Sequence, residues 1–122
     1  MSKYLKNFVN GKYTVMGTLW IETGNARFFG PGPVELLQLI EQTGSINQAA
    51  KAMGMSYKKA WEMVNRINEQ AIKPLVVTSA GGEKGGGSTI SDEAKALMAY
   101  HKDLRDRFLR FLEKETEKIN KS

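Results

Sequence analysis

Residues Gly44 to Ile67 read Gly-Ser-Ile-Asn-Gln-Ala-Ala-Lys-Ala-Met-Gly-Met-Ser-Tyr-Lys-Lys-Ala-Trp-Glu-Met-Val-Asn-Arg-Ile and leave little conformational choice. Gly44 suits the left-handed residue that stops a preceding helix. Ser45 followed by Gln48 is a capping-box pattern, so a second helix starts there. Met53-Gly54-Met55 supplies a corner whose Gly accepts positive φ, and Ser56 caps a third helix. Ala49 and Ala50 keep the second helix slim where the third crosses it, and Ala60, Val64 and Ile67 give the third an inward face. Two short helices meeting at a Gly corner spell helix-turn-helix, whose second helix fits a DNA major groove.

The surroundings of this motif build one domain from 122 residues. No clear periodicity marks residues 1–12, a loose lead-in. Tyr13 to Phe29 alternates like a strand, with Val15, Leu19 and Ile21 on one parity, and Gly24-Asn25 turns it into a hairpin. Helix one is expected over Pro33–Thr43, with Pro33 at its first position and Leu36, Leu37 and Ile40 on its inner face. After the motif, Leu75–Thr78 reads as a short strand and Ser88–Ile90 as its return. Between them lies Ala80–Gly87, five of whose eight residues are Gly, a hairpin tip and not a core segment. Three helices followed by such a hairpin describe a winged helix-turn-helix, a mainly α (α+β) fold with an N-terminal β-hairpin.

From Ser91 or Asp92 a last helix reaches to about Ile119. Leu97, His101, Leu104, Phe108, Phe111 or Leu112, Glu115 and Ile119 follow steps of three and four along it. That spacing approaches the seam by which helices pair, and the helix is longer than a small domain covers, so it is expected to join two copies. The expected division is a hairpin plus winged helix over 1–91 and a dimerisation helix over 92–122.

Charge fits this plan. The net +5 is modest, but residues 92–122 carry eight basic against seven acidic side chains, so +4 falls on the rest. There is no cysteine, hence no thiolate metal site or thiol nucleophile, and one histidine offers no metal set. The Gly-rich tip lacks the Gly-Lys-Ser/Thr order of a nucleotide loop: Lys84 precedes Gly85, and Ser88 follows Gly87. His101 sits on a charged helix with no nucleophile turn for company, so no enzyme is expected. No apolar run is long enough for a membrane span, and the first residues lack a secretory pattern, so the expected location is cytoplasmic.

With Ala60, Val64 and Ile67 turned inward, Tyr57, Lys58, Trp61, Glu62 and Asn65 face outward as the DNA-facing set, flanked by Lys59 and Arg66. Lys58, Lys59 and Arg66 suit phosphates, and Lys58 also suits a guanine edge. Asn65 suits adenine and Glu62 cytosine. Ser45 and Ser56, at helix starts, complete the set with backbone N–H groups toward a phosphate. Trp61 either lies over sugars and thymine methyls or tucks against helix two and the wing. In the wing, Lys84 and the bare amides around it suit the DNA backbone or the minor groove.

The stretch from Gly44 to Trp61 with Gly81–Gly87 resembles the N-terminal DNA-binding domain of the ModE family, bacterial molybdate-responsive regulators related in their winged helix to LysR-type regulators. The resemblance covers about Pro33 to Tyr100 and is most specific in Ser-Tyr-Lys-x-Ala-Trp and Gly-Gly-x-Lys-Gly-Gly-Gly. It implies a homodimer on a palindromic operator, recognition roles for Ser56, Tyr57, Lys58, Lys59, Trp61 and Glu62, and wing roles for Gly82, Lys84 and Gly85. Family members that sense molybdate carry oxyanion-binding domains after the winged helix, whereas this chain stops at Ser122. It resembles a stand-alone form, and no cofactor is expected. The competing class is a winged-helix protein-interaction module without DNA readout, for which the acidic Glu62 in the recognition helix is the best argument.

Overall fold

Every start and stop signal of the motif is used in the computed structural model, which describes residues 12–79 and 87–121. Helix α1 (Pro31–Thr43) ends at Gly44, whose φ of 69° is left-handed and whose N–H donates to the Ile40 carbonyl at 2.8 Å. Ser45 Oγ accepts from the Gln48 N–H at 3.1 Å and opens α2 (Ile46–Ala52). Gly54, at φ 68°, turns the corner. Ser56 Oγ then accepts from the Lys59 N–H at 3.1 Å and opens α3 (Tyr57–Gln70). Each such cap contributes about 1 kcal/mol.

The first helix starts two residues earlier than its expected Pro33. Pro31 takes the first position, and Pro33 falls in the opening turn. N–H groups of that turn have no helical partner, so neither proline costs a bond.

Leu36, Leu37 and Ile40 of α1, Ala49 and Ala50 of α2, and Ala60, Val64 and Ile67 of α3 form one buried cluster. Phe29, Leu75, Val76, Ile90 and Ala94 close it. Burying each larger side chain contributes about 1.5–3 kcal/mol. Strands β3 (Val76–Thr78) and β4 (Ser88–Ile90) pair antiparallel with Val76 opposite Ile90, so the hairpin lays those two side chains on the helices. Three helices capped by this hairpin make a winged helix with α+β character. The expected wing residues Gly82, Lys84 and Gly85 lie outside the described residues.

An N-terminal hairpin is present but shorter than the alternation suggests. Strands β1 (Ile21–Thr23) and β2 (Ala26–Phe29) pair across Gly24, at φ 61°, and Asn25. Trp20 stacks beneath the Arg27 guanidinium, 4.9 Å from the ring centroid. A Cβ on Gly30 would run into the Trp20 indole, so glycine is required there.

Helix α4 (Asp92–Lys121) opens on Ser91, whose Oγ accepts from the Ala94 N–H at 3.1 Å. Asp92 and Glu93 in its first turn and Lys118 and Lys121 in its last complement the helix dipole. The chain forms two compact units, one of Trp20–Tyr100 and one of Met1–Leu19 with His101–Ser122. In the first, Ala94, Leu97 and Met98 of α4 join the core cluster.

The second unit corrects the expectation of a strand beginning at Tyr13. Residues 12–19 belong to no strand. The Tyr13 N–H donates to Asn120 Oδ1 and Asn120 Nδ2 donates to the Tyr13 carbonyl, both at 2.9 Å, while the Val15 N–H donates to Thr116 Oγ1 at 2.9 Å. Helix side chains one turn apart thus supply what a neighbouring strand would have supplied. Gly17 faces Phe108, whose Cζ would lie 3.0 Å from an added Cβ. Leu112 and His101 are buried, Leu104 and Phe108 are half-buried, and Phe111 remains 56% exposed. Of the two alternatives on the seam, Leu112 turns inward. Phe108 spends part of its surface on its own chain.

Burial lowers the pKa of His101, and the Arg105 guanidinium lowers it further. The folded state therefore favours neutral imidazole. This contribution is complete above the unfolded value of about 6.5 and is lost as pH falls below it. The urea midpoint should drop between pH 7.5 and 5.5, and a His101→Leu variant should show a shallower drop.

Candidate nucleic-acid interface

Burial of Ala60, Val64 and Ile67 fixes the rotation of α3 and brings Tyr57, Lys58, Lys59, Glu62, Asn65 and Arg66 to the surface. Among the described residues, none of the Lys58, Lys59, Glu62, Asn65 or Arg66 side chains takes part in a hydrogen bond or ion pair. By contrast, Lys73, Lys102 and Lys118 each reach a carboxylate within 4 Å. Among the described residues these polar groups of the α3 face are uncommitted.

Their placement opposes helix stability. Lys58 and Lys59 are the second and third residues of α3, and its first turn holds no acid. Cations at a helix N-terminus face the positive end of its dipole, a cost of about 0.3–1 kcal/mol each. Local rules broken without compensation mark sites kept for function. A phosphate would convert both lysines and the turn's free N–H groups into favourable contacts.

Trp61 combines features of both readings left open by the sequence. It is half-buried against the core cluster and stands edge-on to Tyr57, with centroids 6.1 Å apart. Tyr57 itself is 49% exposed. The other DNA-facing candidates, Ser45 and Ser56, spend a lone pair on their caps.

The wing is anchored to the motif by bonds that the sequence does not announce. The Ser88 N–H donates to the Gly44 carbonyl at 2.9 Å, tying β4 to the residue that ends α1. Ser79 Oγ accepts from the Gly87 N–H and donates to its carbonyl, both at 3.2 Å, closing the base of the tip. Asn68 was missed entirely. Its Oδ1 accepts from the N–H groups of Leu75, at 2.8 Å, and Val76, at 3.1 Å, and its Nδ2 donates to the Val76 carbonyl at 3.1 Å. One side chain thereby fixes α3 against the first wing strand. Its only sequence signal is a polar residue one step from the apolar Ile67.

Of the residues expected at a dimer seam, Leu97 lies in the first unit and the others in the second. Among the described residues no group of three or more His, Cys, Asp or Glu is arranged to hold a metal ion. No helix there is long and apolar enough to cross a membrane.

No protein-family model matches the chain. It is 39% identical over 87 residues to the molybdenum transport protein ModE of Azotobacter vinelandii, an alignment covering 71% of this chain and 32% of that one. It is 40% identical over 89 residues to the transcriptional regulator ModE of Haemophilus influenzae, with 73% and 34% covered. Identity to the DNA-binding transcriptional dual regulator ModE of Escherichia coli K12 is 38% over 71 residues, 58% of this chain and 27% of that one. The chain spans about a third of the length of these curated relatives. Among solved structures, a point mutant of ZitR from Lactococcus lactis shares the fold, with a TM-score of 0.53 at 16% identity over 95% of this chain and 80% of that one.

Proposed function

We propose that this homologue of the ModE proteins is a DNA-binding transcription regulator that places α3 in the major groove and binds an inverted repeat as a homodimer. The observation that carries the reading is the pair of uncommitted lysines at the unfavourable end of α3, beside exposed Glu62 and Asn65. Lys58, Lys59 and Arg66 neutralise phosphates, and Asn65 and Glu62 meet base edges. The names of the relatives point the same way. No covalent chemistry is required.

A two-fold pair sets the recognition helices about 34 Å apart, one turn of DNA. The surface assigned to the partner copy includes Phe111, 56% exposed, and Met16, 82% exposed, both in the second unit. Phe111→Asp should yield monomers by sedimentation, with unchanged unfolding of Trp20–Tyr100 and at least about tenfold weaker binding to a full repeat. A persistent dimer would place the interface elsewhere.

Selection of bound sequences from a random duplex pool at physiological salt tests the reading as a whole. Enrichment of an inverted repeat supports it. Recovery of unenriched DNA, or of none, contradicts sequence-specific regulation and favours a winged-helix module for protein partners.

A further inference from the structure

A cavity of about 330 Å³ lies where α2, α3 and the base of the wing converge. Ser45, Ile46 and Asn47 line it from the start of α2, Tyr57 and Trp61 from α3, and Thr78, Ser79, Gly87 and Ser88 from the hairpin. Its chemistry differs from that of the exposed α3 face. Among the described residues it contains no lysine, arginine or carboxylate, and their polar side chains are hydroxyls, one amide and an indole N–H.

Part of this set is already committed. Ser45 Oγ caps α2, and Ser79 Oγ holds both backbone groups of Gly87. The side chains of Asn47 and Thr78 take part in no hydrogen bond among the described residues, so their donors are available to an incoming group.

We propose that this cavity seats one phosphodiester of the bound duplex per protomer, held by neutral donors of Asn47 and Thr78. This rests on the DNA-binding reading above. When α3 lies in the major groove with the wing alongside, the sugar–phosphate strand between them must pass this junction. The group arriving there is a phosphate flanked by its sugars. Hydroxyl and amide side chains are ordinary phosphate partners that fix register without reading sequence. A carboxylate would repel the phosphate, and none of the described residues lining the cavity carries one. Because the donors are neutral, this contact releases no counterion of its own. It adds affinity without steepening the salt dependence.

The test uses the full chain and the duplex recovered by selection, with methylphosphonate replacing one phosphate at a time. The Asn47→Ala/Thr78→Val protein should bind about tenfold more weakly, as expected for two neutral hydrogen bonds. That factor should be the same at low and high salt. With the parent protein, one methylphosphonate per half-site should weaken binding, and the double variant should show no further loss there. The isosteric Asn47→Asp should lose more than Asn47→Ala, since it sets a carboxylate against the phosphate. Undiminished affinity of the double variant, a reduced salt slope, or the absence of a phosphate whose replacement the variant absorbs would overturn the assignment while leaving DNA binding intact. Failure to bind any duplex would overturn the DNA-binding reading along with it.

Discussion

Replacing Lys58 and Lys59 together by alanine should weaken operator binding about a hundredfold at physiological salt, because each phosphate contact contributes roughly 1–2 kcal/mol. The slope of log affinity against log salt should flatten by about 2, one unit for each lost cation. The fold should pay nothing for this. Both side chains are exposed, unpaired among the described residues and set in the first turn of α3, where positive charge is unfavourable. Alanine also suits a helix better than lysine. The free energy of unfolding should therefore rise by about 0.6–2 kcal/mol while DNA affinity collapses. That opposition separates a ligand-facing pair from ordinary surface lysines. Undiminished DNA affinity would remove both residues from the interface, whatever their effect on stability.

Asn68→Leu should have the largest effect on stability among polar positions. The change keeps nearly the same shape but strips partners from two N–H groups and one carbonyl at the α3–β3 corner. Unsatisfied, partly buried backbone groups cost about 1–3 kcal/mol each, relieved in part by water reaching this corner, so a loss of about 2–4 kcal/mol is expected. Urea unfolding should show a lower midpoint with an unchanged slope. Asn68→Asp should recover part of the loss, since a carboxylate still accepts from Leu75 and Val76 but no longer donates to the Val76 carbonyl. A midpoint shift equivalent to less than about 0.5 kcal/mol in Asn68→Leu would show that the corner holds itself together.

These two sites illustrate what sequence reading reaches. Local rules located Gly44, Ser45, Gly54 and Ser56, because caps and left-handed residues depend on neighbours within four positions. The inward face of α3 followed from the spacing of Ala60, Val64 and Ile67 for the same reason. Alternation from Tyr13 onward implied a strand, which the structure forms only from Ile21. It contains nothing about which groups satisfy the backbone, and Thr116 and Asn120 lie about a hundred residues away. Asn68 escaped because its partners are backbone atoms, which leave no residue signature. The Phe111–Leu112 ambiguity arose because adjacent apolar residues both fit a three–four pattern, and only packing selects Leu112.

The central claim is that α3 occupies the major groove. Dimethyl sulfate probing of the selected duplex tests it most directly, since the reagent marks guanine N7 in the major groove and adenine N3 in the minor. Bound protein should protect guanine N7 in two segments about one helical turn apart, and the Lys58→Ala/Lys59→Ala protein should lose that protection at concentrations that saturate the parent. Bound complexes whose guanine N7 positions stay fully reactive, or which protect adenine N3 alone, would contradict the account.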